Sequence, residues 1–213
     1  MPSPSYERKQ FDGSIATEPG QKWVLARIST TSVDRDGDVL LPSGADVSDF
    51  EKNPVVLLTH QQGQLPIGRA LGIRKRTNDI VAKVIFADRP AGLPPQQEWV
   101  PDTVHELFKQ GVLRAFSVGF TIPIGGARAA EKRDLARFGE NVRRVITRWK
   151  LAELSVVPLP ANQDALAMAV SKGLLRDSWL RAELGCADDL LDLVEPPAPI
   201  LELDRPKPLD LAS

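Results

Sequence analysis

The sequence predicts an α+β fold that is mainly β, a small β-barrel flanked by helices. Short apolar segments with the alternating pattern of strands recur between residues 23 and 157. Helical segments interrupt these strands without the regular βαβ alternation of a parallel sheet. Apolar residues make up 42% of the 213 residues, which is enough for a single core. A closed or partly open barrel satisfies these three observations best.

Six segments have the composition and spacing of strands. In the segment from Ile80 to Phe86, alternate apolar residues share one face and a lysine lies on the other. Residues 77–79 (Thr-Asn-Asp) before it are typical of a hairpin turn. The predicted strands are 23–31, 55–59, 65–75, 80–86, 112–122 and 142–157.

Four segments are predicted to be helical. The strongest spans 94–110, where large apolar residues recur at helical spacing and Gly111 provides a stop. A shorter helix is predicted at 43–52, which begins with a serine cap, and closing helices are predicted at 162–171 and 174–184. The charged, glycine-containing segment 125–139 is predicted to be a loop.

The chain divides into an arm, a domain and a tail. Residues 1–21 are polar, contain proline and glycine, and are predicted to form a flexible arm. Residues 22–187 carry the strands and helices of one folded domain. Residues 188–213 are acidic and proline-rich, and we expect them to be disordered because they hold too little apolar surface to pack.

Composition excludes several classes of function. Charge is balanced, with 27 Lys plus Arg against 28 Asp plus Glu, so no basic field predicts nucleic-acid binding. Cys186 is the single cysteine, which excludes an internal disulfide and suits a reducing cytoplasm. We expect no signal peptide, because no apolar stretch follows the charges near the N-terminus, and no membrane span, because no apolar run approaches about 18 residues. One cysteine and two histidines are too few for a structural zinc site.

Ser117 is the candidate nucleophile. On the strand 112–122, Phe116 and Val118 share the face predicted to enter the core, so Ser117 and Gly119 face away from it. Gly119 removes a side chain beside the hydroxyl and is predicted to leave room for a substrate backbone. A serine on a strand is more often structural, and its hydroxyl becomes nucleophilic only with a base within hydrogen-bond reach.

His60 and Glu153 are the candidate base and orienting acid. His60 ends a strand, where its side chain can face a cleft, and an imidazole is able to accept a proton and return it. His105 is the competing histidine, but it is predicted to lie at an exposed helix position. Glu153 interrupts an apolar run, where a carboxylate is costly unless it is paired, and an imidazole would pair it. A structural histidine and a glutamate on a solvated strand face are the alternatives.

An acidic segment between two strands has residue types that could bind a cation. Residues 34–38 (Asp-Arg-Asp-Gly-Asp) lack the later bidentate glutamate and the remaining spaced ligands of an EF-hand. A tight turn in which Gly37 supplies a positive φ fits this segment better. No metal or organic cofactor is predicted.

Five blocks resemble the prohead (capsid maturation) serine proteases of tailed phages. They lie, in order and at similar spacing, at residues 32–42, 53–60, 65–70, 111–120 and 153–162. The third member of the triad varies in such enzymes, and Glu153 falls in the matching block. The resemblance implies an assemblin-like protease domain at 22–187, with His60 as base and Ser117 as nucleophile.

The resemblance also implies substrates and a location. It implies an endopeptidase that cleaves scaffolding segments and the major capsid protein inside the immature capsid, in the host cytoplasm, and that cuts itself. It suggests self-association, and no nucleic-acid or membrane partner. The glycines at 125–126 and the arginines at 143–144 are candidate oxyanion-side elements.

Two rival functions follow from the same residues. The first is a catalytically inactive scaffold protein of capsid assembly that has kept the barrel. The second is a metal-dependent hydrolase that uses His60, His105 and the acidic segment 34–38, for which chelators would inhibit.

Overall fold

The computed structural model describes residues 22–170, which form a mainly β fold. Three α-helices and eleven strands are present in this range. The helices are α1 Ser48–Glu51, α2 Val100–Lys109 and α3 Lys132–Phe138. The strands are β1 Trp23–Thr30, β2 Asp38–Leu40, β3 Ala45–Asp46, β4 Val55–Leu58, β5 Gly68–Lys75, β6 Asp79–Phe86, β7 Ala115–Thr121, β8 Ala127–Ala129, β9 Arg144–Ile146, β10 Trp149–Val157 and β11 Ala167–Val170.

Seven of these strands close into a small barrel. The main sheet runs β11-β1-β6-β5-β4-β10, and β7 pairs with β10 on its free side. The ring then closes through a single bridge between Ala115 and Leu166. Two backbone hydrogen bonds support this bridge, from Phe116 N to Ala165 O at 2.9 Å and from Ala167 N to Arg114 O at 2.6 Å. The predicted α+β, mainly β barrel is confirmed.

The apolar interior of the barrel explains why the strands alternate. Fully buried residues from the inner faces of β1, β6, β7 and β10 form one cluster, to which α2 adds two residues. Among them Phe108 of α2 stacks on Phe116 of β7, with 5.3 Å between ring centroids. Such buried aromatic pairs contribute about 0.5–1.5 kcal/mol beyond their buried area. The strand that carries Ser117 is therefore fixed on its core side.

The structure corrects the predicted closing helix at 162–171. Asn162 instead begins a turn, in which its amide donates to the Thr30 carbonyl at 3.1 Å and its side-chain oxygen accepts from Asp164 N at 3.0 Å. The chain then enters β11, which pairs antiparallel with β1. The free edge of β1 outweighs the helical tendency of this alanine-rich segment. The helix predicted at 174–184, the arm at 1–21 and the tail at 188–213 lie outside the described residues.

The structure also corrects the predicted loop at 125–139. This segment contains β8 and α3. β8 belongs to a separate three-stranded sheet in which β9 is the central strand, between β2 and β8. The N-terminus of α3 has a capping box in which the side chains of Glu131 and Asp134 each bind the other's backbone N–H. Glu131 and Asp134, three residues apart, are therefore a helix-start signal within the segment predicted to be a loop.

The remaining element predictions hold with altered bounds. The predicted strand 142–157 is two strands, β9 and β10, because the amides of Thr147 and Arg148 bind Gly126 O instead of continuing a ladder. The predicted helix 43–52 is reduced to α1, after a 3-10 turn at Pro42–Gly44 and β3. The predicted helix 94–110 begins only at Val100. Within residues 22–170 no helix has the length and apolar character needed to cross a bilayer.

Candidate active site

Strand register places the candidate residues on the outer face of the barrel. On β7 and β10, which are antiparallel, Ser117 is opposite Ser155 and Gly119 is opposite Glu153. Their neighbours Phe116 and Leu154 are fully buried in the core. Because side chains alternate along a strand, Ser117, Ser155 and Glu153 therefore project from the same outer face. The predicted orientation of Ser117 is confirmed.

Glu153 and His60 are joined in the structure. His60 Nδ1 contacts Glu153 Oε1, with the side chain of Glu153 10% exposed and that of His60 44% exposed. An ionised carboxylate only accepts hydrogen bonds, so this contact assigns the proton to Nδ1 and leaves Nε2 as the basic nitrogen. The pairing that was predicted to satisfy a carboxylate within an apolar run is present.

Gly119 provides the space that Glu153 occupies. A Cβ atom on Gly119 would lie 2.3 Å from Cγ of Glu153 and 2.9 Å from both its Cδ and Oε1. Real Cβ atoms do not approach other atoms that closely. The prediction that Gly119 leaves room for a substrate backbone is therefore wrong, because the carboxylate side chain fills that room.

A strained turn sets the position of His60. Thr59 and His60 both have positive φ, of 51° and 60°, which is uncommon for residues with a Cβ and exceptional for a β-branched one. Gln61 N donates to Leu58 O at 3.1 Å and closes a two-residue turn, and Thr59 N donates to Val156 O at 2.8 Å. Such backbone strain is concentrated at functional sites. Here it ends β4 and directs the imidazole back towards β10.

Ser117 lies on the same face but is not bonded to the imidazole. Ser117 is 8% exposed, and among residues 22–170 no hydrogen bond joins it to His60. The structure thus brings His60 and Glu153 into contact. Ser117 lies opposite Ser155, which is two residues from Glu153 on β10. Catalytic hydrogen bonds are often long in unliganded sites and tighten when substrate binds.

A groove and a small cavity lie next to the site. Beside Glu153, an open groove of about 700 Å³ is lined by residues of α1, β4 and β10, together with Gln62 after β4 and Thr121 of β7. On the other side of Ser117, a cavity of about 30 Å³ lies between β7 and the end of β1, and Ser29 and Asn162 line it. The groove is large enough for several residues of a peptide, whereas the cavity has room only for water.

His105 is buried, which corrects its predicted exposed position. It packs in α2 with its ring 5.5 Å from that of Phe86 and is 6% exposed. Burial lowers its pKa, and the nearby charges of Lys109 and Lys22 act in the same direction. The amphipathic pattern of α2 places this histidine on the core side, because Val104 and Phe108 are buried on that side too.

The acidic segment 34–38 is a turn. The carboxylate of Asp34 accepts from the amides of Asp36 at 2.9 Å and Asp38 at 2.8 Å, and Gly37 has a φ of +82°. Burial raises the pKa of Asp34, although these backbone bonds oppose the shift. The turn predicted from the sequence is confirmed. Within the described part of the chain, no three or more His, Cys, Asp or Glu side chains gather as metal ligands.

The candidate oxyanion-side elements are engaged elsewhere. The amides of Arg143 and Arg144 both donate to Gly37 O, at 2.8 and 3.2 Å, and Gly126 N donates to Pro123 O at 2.8 Å. The guanidinium of Arg144 pairs with Asp38, with Nε 2.8 Å from Oδ1. These backbone amides therefore stabilise turns and do not point freely towards Ser117.

The sequence interpretation missed Ser155. This residue is fully buried, and its Oγ has no hydrogen-bond partner among the described residues. Its signal in the sequence is a hydroxyl within the apolar run 154–157, two residues after Glu153. A polar group in such a position requires a partner, so the pattern could have identified it.

Comparison with known proteins identifies the segment that carries two of the three residues. The model of the family described as caudovirus prohead serine protease matches residues 91–175. This segment is similar to that family. Ser117 and Glu153 lie within the matched segment, and His60 lies before it.

Two individual proteins are similar to the chain. The prohead protease of Escherichia phage T5 is 29% identical over 143 residues, which are 64% of this chain and 57% of that protein. The chain therefore matches a little over half of the length of that relative. A crystal structure of KSHV protease in complex with a hexapeptide phosphonate inhibitor covers 82% of this chain and 75% of its own, at 11% identity and a TM-score of 0.40. A TM-score of that size does not establish a common fold.

Proposed function

We propose that this chain is a serine endopeptidase that cleaves scaffolding segments and capsid protein during phage prohead maturation, and that also cleaves itself. The observation that carries the proposal is the contact between His60 Nδ1 and Glu153 Oε1 on the face from which Ser117 projects. The similarity of residues 91–175 to the prohead serine protease family and the similarity to the phage T5 prohead protease support the same reaction class.

The first half of the proposed reaction forms an acyl-enzyme. Ser117 Oγ attacks the carbonyl carbon of the scissile peptide bond, and His60 Nε2 accepts the hydroxyl proton. The carboxylate of Glu153 holds the ring through Nδ1 and stabilises the positive charge that it gains. Backbone N–H groups stabilise the oxyanion of the tetrahedral intermediate. His60 then protonates the leaving amine as the C–N bond breaks.

The second half releases the acid product. A water molecule gives its proton to His60 Nε2 and attacks the acyl carbon, and the protonated imidazole returns a proton to Ser117 Oγ as the ester bond breaks. Glu153 stays ionised throughout. The His60 side chain is 44% exposed, so its ring has room to turn towards Ser117 once a peptide occupies the groove beside Glu153.

The proposed substrates are peptide segments inside the immature capsid, in the host cytoplasm. The groove beside Glu153 is open and lined by both apolar and polar residues, which suits an extended peptide segment. The major capsid protein with its scaffolding segment is the proposed substrate.

Substitution of Ser117 tests the proposal. Ser117→Ala is expected to abolish cleavage of the capsid protein precursor and labelling by a fluorophosphonate probe. Its free energy of unfolding should change by no more than about 1 kcal/mol. Ser43→Ala, at an exposed serine, is the matched control and is expected to leave both readouts unchanged. Undiminished cleavage by Ser117→Ala would exclude this serine as the nucleophile. A wild-type protein that neither cleaves nor is labelled would favour the inactive scaffold protein instead.

A further inference from the structure

Two buried polar atoms on β10 have no hydrogen-bond partner among the described residues. They are Glu153 Oε2 and Ser155 Oγ. Buried polar groups are nearly always satisfied, so each such exception calls for a partner or a role. A hydroxyl can donate and a carboxylate oxygen can accept, which makes these two atoms complementary.

The two residues are neighbours on the face that carries the site. They lie two positions apart on one strand, so both side chains project to the same side. Across the strand pair, Ser155 is opposite Ser117 and Glu153 is opposite Gly119. Ser155 is therefore a neighbour of both the carboxylate, on its own strand, and the candidate nucleophile, across the strand pair.

The His60 side chain extends along β10 past Ser155 to reach Glu153. The parallel pairing of β4 with β10 sets Leu57 beside Ser155 and Leu58 beside Val156. His60 follows Leu58 by two residues, so its ring reaches back along β10 to meet Glu153. Ser155 is fully buried although it is on the outer face, which is expected for a residue beneath that contact.

We propose that Ser155 is a positioning residue whose hydroxyl donates to Glu153 Oε2, directly or through one water, in the assembled site. Oε1 is already engaged by His60, so Oε2 is the oxygen that needs a second donor. This donation fixes the carboxylate in the rotamer that holds the imidazole. The inference rests on the proposed function and assigns a role that the three-residue site does not contain.

Loss of this donor has a defined consequence for protonation. A carboxylate that loses a donor binds a proton more readily, and its field also holds an imidazolium more strongly. Both effects deplete the working form, a neutral imidazole beside an ionised carboxylate, at low pH. The acidic limb of the pH–rate profile should therefore move to higher pH.

Substitutions at Ser155 test the proposal. Ser155→Ala is expected to lower kcat about tenfold to hundredfold with little change in KM, and to shift the acidic limb of the kcat profile upward. Its stability should be modestly lowered, because Glu153 Oε2 is left without a donor. Ser155→Thr retains the hydroxyl and is expected to recover most of kcat. Ser43→Ala is the surface control.

A readout without turnover separates this inference from the proposed function. The protein has two histidines, so NMR can follow the titration of His60 in the intact chain. The midpoint for His60 is expected to be higher in Ser155→Ala than in the wild type. An identical midpoint in both proteins, or an unchanged kcat, would overturn the role of Ser155. Failure of the wild type to cleave any protein would count against the protease assignment alone, because the NMR comparison still decides the role of Ser155.

Discussion

The side chain of Glu153 occupies the space that a Cβ atom on Gly119 would need, with Cγ of Glu153 only 2.3 Å from the ideal Cβ position. These two residues face each other across β7 and β10. The glycine on the serine-bearing strand is therefore part of the carboxylate's binding site. This relationship links the position of His60, through Glu153, to a backbone position two residues from Ser117.

Gly119→Ala is expected to displace Glu153 and to separate it from His60. The strand backbone fixes the new methyl group, so the flexible carboxylate must move, and we expect a loss of kcat of about tenfold or more because positioning errors of 1 Å are that costly. Peptide cleavage rates would measure it. Gly92→Ala is the matched control, since a Cβ there meets nothing within 4 Å. Equal activity of the two variants would contradict the steric argument.

Glu153→Gln is expected to keep the fold and lose activity. The amide retains the shape of the side chain and an oxygen for His60 Nδ1, but it removes the negative charge that stabilises the imidazolium. We expect kcat to fall about 10²- to 10⁴-fold while KM is little changed. Steady-state cleavage of a peptide substrate measures both parameters. Glu140→Gln, at an exposed position, should have no effect, and wild-type kcat in Glu153→Gln would remove Glu153 from the mechanism.

Thr59→Gly is expected to be unusually well tolerated. Glycine adopts a φ of +51° without the cost of about 1–2 kcal/mol that a Cβ imposes, and this gain offsets its greater entropy in the unfolded chain. Thr31→Gly is the control, because Thr31 does not have a positive φ and gains no such relief. Denaturant unfolding should show Thr31→Gly to be the less stable variant by about 1–2 kcal/mol. The reverse order would show that the turn at Thr59 is unstrained.

The strands and the pairing of Glu153 could be predicted because their signals are local. The alternation from Ile80 to Phe86 and the hairpin turn before it depend on neighbours along the chain, and a carboxylate within an apolar run, as at Glu153, needs a partner wherever the fold brings it. These features hold in any arrangement of the elements.

The features that sequence reasoning missed depend on pairing between distant segments. Residues 167–170 form a strand only because β1 has a free edge, and the space beside Gly119 is filled only because register sets Glu153 opposite. Ser155 likewise acquires its meaning from Ser117 across the strand pair. The first two relationships have no local pattern, so propensity favours the ordinary alternative in each. The hydroxyl of Ser155 within an apolar run is a local signal that a partner is needed, but the partner itself is set by the fold.

The pH dependence of stability should report on Asp79 at the start of β6. Burial acts to raise the pKa of this carboxyl, but hydrogen bonds and charges from Arg76 and Arg27 outweigh burial and lower it below its usual value. The bonds include Arg76 Nε at 2.6 Å and Arg27 Nε at 3.0 Å. A carboxyl whose pKa is lower in the folded chain stabilises the fold above its unfolded value of about 3.9. That contribution is lost as the pH falls from there through the folded value.

Asp79→Asn should therefore reduce stability at neutral pH by about 1–3 kcal/mol and flatten the acid limb of the stability curve. Urea unfolding of the wild type and the variant at pH 7 and pH 3 gives both quantities. The two proteins should differ less at pH 3, because the wild-type carboxyl is then losing its charge-dependent advantage. Asp88→Asn, at an exposed position, serves as the control and should not alter the slope. A constant difference at both pH values would mean that Asp79 stabilises the hairpin by shape and hydrogen bonding alone, without its charge.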